Sequence, residues 1–168
     1  MSERVGGNTD SRQLIIGVGE IAYGQHPRIL VTQALGSCVG LTLWDPMTLL
    51  GGMAHVMLPT AADSALQGHP ERFASTAVPL LVERLNQRGA PKRRLLAKVA
   101  GGAAMFGNDS GLETIGQRNT AEVKAQLERL GVPIRGEDTG GSHARTIELH
   151  LDTGILLVRS YVYGLREI

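Results

Sequence analysis

A polar turn between two apolar runs constrains this chain more than any other feature. Val39-Gly40-Leu41-Thr42-Leu43-Trp44 sets Val39, Leu41 and Leu43 against Gly40 and Thr42, the alternation of a strand. Asp45-Pro46-Met47-Thr48 follows, where Pro46 presets φ for a turn and Asp45 can bond its own backbone. Residues 52–58 then return as a second strand. If the two pair antiparallel about this turn, the numbers of facing residues sum to a constant of about 93 to 95. At the lower sum Cys38 lies directly opposite His55; at the upper they are diagonal neighbours. Both registers put the two side chains on one face, roughly 5 to 8 Å apart at Cβ. An even sum would put them on opposite faces.

That juxtaposition has chemical content because Cys38 is the only cysteine in 168 residues. It sits in a glycine-flanked turn, Leu35-Gly36-Ser37-Cys38-Val39-Gly40, and His55 is the only histidine of the hairpin. A thiol beside an imidazole is a nucleophile with its general base. A lone cysteine is also an ordinary small hydrophobe of a core, and residue types alone leave both readings open.

Gly36, Ser37 and Val39 would place backbone N–H groups near the sulfur, where they can bind the oxyanion formed when a carbonyl is attacked. Gly36 equally serves a tight turn. A third group should orient the imidazole, and Thr32 lies six residues before Cys38 on the strand pattern of residues 28–32. Its hydroxyl can accept the imidazole N–H and set the tautomer, though it carries no charge to stabilise an imidazolium. By itself Thr32 also reads as an ordinary strand residue.

The motifs taken together resemble the CheD family of chemoreceptor glutamine deamidases. The resemblance is carried by Thr32-Gln33-Ala34-Leu35-Gly36-Ser37-Cys38, by Cys38-Val39-Gly40-Leu41 with Asp45, and by Gly52-Met53-Ala54-His55-Val56-Met57-Leu58-Pro59. It continues in Ala100-Gly101-Gly102-Ala103-Ala104-Met105-Phe106, Ile115-Gly116-Gln117-Arg118-Asn119, and Glu137-Asp138-Thr139-Gly140-Gly141 with Arg145. It implies that Cys38, His55 and Thr32 are the catalytic residues. The implied reaction converts particular glutamines of methyl-accepting chemotaxis receptors to glutamate through a cysteine thioester, with release of ammonia and no cofactor. The resemblance also implies a CheC-type phosphatase of the response regulator as a partner. Two rivals stand beside this reading: a non-catalytic module regulating such a phosphatase, and a thiol transglutaminase or protease sharing the thioester step.

Composition is consistent with a cytoplasmic enzyme. Seventeen basic and sixteen acidic residues leave a net charge of +1, which suggests neither nucleic acid nor a membrane surface as partner. One cysteine excludes an internal disulfide, and no run reaches the ~18 apolar residues of a membrane span. Residues 1–12 read as a flexible tail without the apolar core of a signal peptide, and residues 13–168 as one domain, expected to be monomeric.

The remaining pattern is α/β. Strands are expected at 14–18, 29–32, 95–100, 134–138, 146–151 and 155–161, and residues 63–70 as a polar loop at the rim of the site. One helix carries Val78, Leu81, Val82 and Leu85 on a stripe ending before Gly89, with Pro79 tolerated if the helix starts nearby or kinks. A second is expected to be capped by Asn119 with Glu122, to bury Val123, Leu127 and Leu130, and to end at Gly131. The family resemblance implies a layered sandwich of mixed sheets with helices packed on one side. His26, His69, His143 and His150 lack the paired spacing of metal ligands, and no metal is expected. Glu137 and Asp138 are strand neighbours facing opposite ways. Asp138, Thr139, Gly140 and Arg145 either border the site, with Arg145 pairing Asp138, or form a structural turn. Met53, Met57 and Met105 read as core.

Overall fold

The computed structural model describes residues 11–61, 68–106 and 111–168. Ten strands form two five-stranded mixed sheets. The first contains β1 (Gln13–Ile16), β3 (Ile29–Leu35), β8 (Arg145–His150), β9 (Leu156–Ser160) and β10 (Gly164–Glu167), in the order β1-β3-β8-β9-β10. The second contains β2 (Ile21–Gln25), β4 (Val39–Trp44), β5 (Leu50–Val56), β6 (Leu96–Gly101) and β7 (Ile134–Thr139), in the order β2-β5-β4-β6-β7. Helices α1 (Ala74–Gln87) and α2 (Ile115–Leu130) cover one face of the second sheet. The layers are therefore sheet, sheet, helices, with both helices on one side.

Two apolar cores follow from strand alternation. Val39, Leu41 and Leu43 of β4 face the helices with Val78, Leu81, Leu85, Val123 and Leu127. The opposite face of the same sheet meets Ile16, Leu30, Leu35, Ile147 and Leu149 of the first sheet. Small residues let the sheets approach: a Cβ on Gly40 would stand 2.5 Å from Ile147 Cδ1, and one on Gly51 2.5 Å from Leu151 Cδ2. The turn between β4 and β5 is locked by Asp45. Its buried carboxylate accepts from the Met47 N–H, the Thr48 hydroxyl and the Arg94 guanidinium.

Several expectations are corrected. β2 and β10 were not expected: both are edge strands, and neither has a fully buried residue to impose an alternating pattern. The returning hairpin strand is Leu50–Val56, two residues earlier than expected. Helix α1 begins at Ala74 and carries Pro79 inside it, so Pro79 deprives the Ser75 carbonyl of its helical donor. Asn119 is not the cap of α2. Thr114 is, in a reciprocal capping box with Gln117, and Gly131 closes the helix at φ 71°. Met53 is buried and Met57 partly so, but Met105 is 43% exposed. Residues 1–10 of the expected tail and 63–67 of the expected rim loop lie outside the described residues.

Candidate active site

β4 and β5 pair Val39 with Val56 and Gly40 with His55, a sum of 95, which is the diagonal register. Cys38 immediately precedes β4 and shares the inter-sheet face with Gly40, Thr42 and Trp44. It is half-buried against the inter-sheet core. His55 projects from β5 into the same layer and is fully buried. Gly40, directly opposite His55, contributes no side chain to the space beside the imidazole.

Thr32 reaches that imidazole from the other sheet. Its Oγ1 lies 2.7 Å from His55 Nδ1 and donates to the Ile16 carbonyl, also at 2.7 Å. A hydroxyl has one proton. With that proton committed to Ile16, Oγ1 accepts from the ring, and Nδ1 carries the hydrogen. The neutral imidazole therefore presents a bare lone pair at Nε2, which is buried and has no hydrogen-bond partner among the described residues. Burial pushes the His55 pKa below its ordinary value. Burial likewise pushes the Cys38 thiol up, partly offset by a backbone hydrogen bond. Both shifts favour the uncharged pair, a thiol and a base awaiting its proton.

The turn carrying Cys38 is held through its carbonyls. Gly36 O accepts from the Ala103 N–H at 2.8 Å, Ser37 O from Asn119 Nδ2 at 2.9 Å, and Cys38 O from the Gly102 N–H at 2.9 Å. Ala34 enters the turn at φ 58°, and the Gly36 N–H donates back to the Ala34 carbonyl. Gly36 is thereby engaged and has no N–H to offer an oxyanion. Among the described residues, the N–H groups of Ser37 and Cys38 donate to no other residue, and the Cys38 N–H lies against its own sulfur. Val39 is the first residue of β4.

Asn119 was missed as a site residue. It is fully buried on α2, and its Nδ2 also donates to Met57 O at 3.0 Å, two residues after His55. The helix comes this close because Gly116 lacks a side chain: a Cβ there would stand 2.4 Å from Gly102 O. The only signal was the Ile115–Asn119 motif, which also reads as a cap.

Asp138, Thr139, Gly140 and Arg145 sit one layer further out. Arg145, 3% exposed, pairs with Asp138 at 3.0 Å and ties β8 of one sheet to β7 of the other. The Gly140 N–H donates to Gly101 O, and the Ala104 N–H to Gly141 O. These residues hold the segment that holds the Cys38 turn, and among the described residues no hydrogen bond joins them to Cys38 or His55. Thr139 turns to Glu137, which pairs with Lys124. No group of His, Cys, Asp or Glu among the described residues is arranged to bind a metal. No helix among them is long and apolar enough to cross a membrane.

The family model described as CheD chemotactic sensory transduction matches residues 57–160, a span that includes Asn119 and begins just after His55. Relatives at full length span the site as well. The chain is 46% identical over 145 residues to the chemoreceptor glutamine deamidase CheD of Thermotoga maritima, covering 86% of this chain and 90% of that protein. It is 45% identical over 161 residues to a probable chemoreceptor glutamine deamidase CheD of Desulfitobacterium hafniense, covering 94% and 99%. To the protein of that description from Clostridium novyi it is 39% identical over 158 residues, covering 93% and 98%.

Proposed function

This chain belongs to the CheD family, and we propose that it is a protein-glutamine glutaminase acting on chemoreceptors, with Cys38 as nucleophile, His55 as base and Thr32 as orienting group. The observation that carries the reading is the buried Thr32–His55 pair, which leaves Nε2 unprotonated on the face that also bears the one thiol.

In the proposed cycle Nε2 takes the Cys38 proton as sulfur attacks the δ-carbon of a receptor glutamine. A tetrahedral intermediate forms with negative charge on the former carbonyl oxygen. Its collapse breaks the C–N bond, Nε2 returns the proton to nitrogen, and ammonia leaves a thioester. Water then attacks, giving a proton to Nε2; the C–S bond breaks, the thiol is restored, and glutamate remains. The proposed substrate is the cytoplasmic helical region of methyl-accepting chemotaxis receptors. A CheC-type phosphatase is the proposed partner of a cytoplasmic monomer whose catalytic domain spans residues 13–168.

The test is mass spectrometry of a receptor cytoplasmic fragment after incubation with the protein. Conversion of a glutamine to glutamate adds about 1 Da and releases one ammonia. Modification that persists undiminished with a folded Cys38→Ala protein defeats the assignment. A labelled primary amine incorporated in preference to hydrolysis would make the protein a transglutaminase with the same residues in the same roles.

A further inference from the structure

We propose that Asn119 is a positioning residue that aims the Cys38 N–H at the developing oxyanion. The inference rests on the catalytic reading above and concerns how the turn is made competent. In a planar trans peptide the carbonyl and the following N–H point in opposite directions, and the only cis bond among the described residues is His26–Pro27. A partner that grips the Ser37 carbonyl therefore sets the direction of the Cys38 N–H. Asn119 Nδ2 is that partner, at 2.9 Å. By the same geometry Ala103 N–H, gripping the Gly36 carbonyl at 2.8 Å, sets the direction of the Ser37 N–H.

The pattern is one-sided. Three successive carbonyls, those of Gly36, Ser37 and Cys38, are held by the segment 102–103 and by α2, while among the described residues the N–H groups of Ser37 and Cys38 donate to no other residue, the Cys38 N–H resting only against its own sulfur. Preorganised donors that no other residue occupies in the resting state are what stabilisation of a transient negative oxygen requires. Both Asn119 partners are carbonyl oxygens, so the NH₂ end of the amide must face them. Its second hydrogen goes to Met57 O, fastening the Cys38 turn to the segment that follows His55. Nucleophile, base strand and oxyanion donors are thus indexed to one buried side chain.

Two reactions of Cys38 separate this role from a general structural one. Deamidation passes through an oxyanion; alkylation by iodoacetamide displaces iodide from carbon and does not. Asn119→Ala should lower the kcat of deamidation about 10- to 100-fold, the scale of losses when an orienting partner is removed, with KM little changed. The alkylation rate and its pH dependence should stay close to those of the unsubstituted protein. Equal losses in both reactions, or no loss in either, overturn the proposal. Asn119→Ser is the second variant, used if Asn119→Ala does not melt cooperatively.

The unsubstituted protein gives an independent readout. The γ-aldehyde analogue of N-acetylglutamine adds to the thiol as a hemithioacetal whose oxygen occupies the oxyanion position. The amide protons of Ser37 and Cys38 should then shift downfield in ¹⁵N-resolved spectra; unshifted amides in the adduct overturn the proposal. An unsubstituted protein that forms the adduct and shifts these amides yet releases no ammonia from receptor fragments would instead refute the deamidase reading alone.

Discussion

Thr32 and His55 are 23 residues apart and belong to different sheets, yet Thr32 Oγ1 and His55 Nδ1 meet at 2.7 Å in the buried layer between them. The bond does two things. It decides which ring nitrogen is free, and it joins the sheets at the place where the proposed mechanism moves a proton.

Thr32→Val keeps the shape and removes both hydrogen bonds of the hydroxyl. We expect a loss of about 10- to 100-fold in kcat, with stability lowered by about 1 to 3 kcal/mol because Nδ1 is left buried without an acceptor. Thr32→Ser should recover most of both. Steady-state kinetics and denaturant melts check this, and a Thr32→Val enzyme with full activity would return the residue to ordinary strand duty.

Cys38→Ala and His55→Ala should each abolish deamidation, and the double variant should be no slower than either single one, since members of one catalytic unit are not additive. Ammonia release, read with a cooperative melt for each variant, is the measurement. Independent, multiplying losses would count against a common mechanism.

The pH dependence follows from two burial effects of opposite sign. His55 is held below the ordinary imidazole value of 6.5 and Cys38 above the ordinary thiol value of 9.0. The neutral pair should therefore support a rate plateau between these values. An acid limb is expected below the first, and an alkaline limb above the second as the proton for the leaving nitrogen is lost. A preformed thiolate–imidazolium pair would instead leave alkylation fast at about pH 5.

Stability should report the same shifts. Below pH 6.5 the unfolded chain binds a proton at His55 that the folded chain resists, so stability falls as pH drops through that window. Above 9.0 the unfolded thiol ionises before the folded one, and stability falls again. Melts of His55→Gln should lose the acid component and those of Cys38→Ala the alkaline one; an unchanged pH profile in either variant removes the corresponding shift.

Gly101→Ala should cost both stability and activity. Gly101 stands at φ 104°, and a Cβ there would lie 2.4 Å from the Cys38 carbonyl oxygen, a backbone atom that cannot step aside without moving the proposed nucleophile. Strain of this kind costs about 1 to 3 kcal/mol. Wild-type kinetics in Gly101→Ala would show that the turn tolerates displacement.

The hairpin was legible because its signals are local: a period-2 alternation, turn chemistry at Asp45-Pro46, and a parity rule that held for either register. Thr32 stood as a candidate to orient His55 from its residue type and its place six residues before Cys38, but spacing left it equally an ordinary strand residue, since no periodicity records which sheet faces which; the family resemblance singled it out. Asn119 was misread for a related reason. Asn119 with Glu122 and Thr114 with Gln117 carry the same capping signature, and only the close approach of Gly116 to residues 102 and 103 decides which one starts the helix. The exposed edges β2 and β10 left little pattern to read because few of their side chains are buried.

The order of the parts along the chain has a consequence for synthesis. Once residue 55 has been made, all three proposed catalytic side chains exist, but the groups that hold the Cys38 turn, Gly102, Ala103 and Asn119, are still to come. A domain that folds as a unit during translation cannot assemble this centre early. On the proposed mechanism the nascent chain carries a thiol with no aligned base and no fixed amides until α2 and the strands after it are in place.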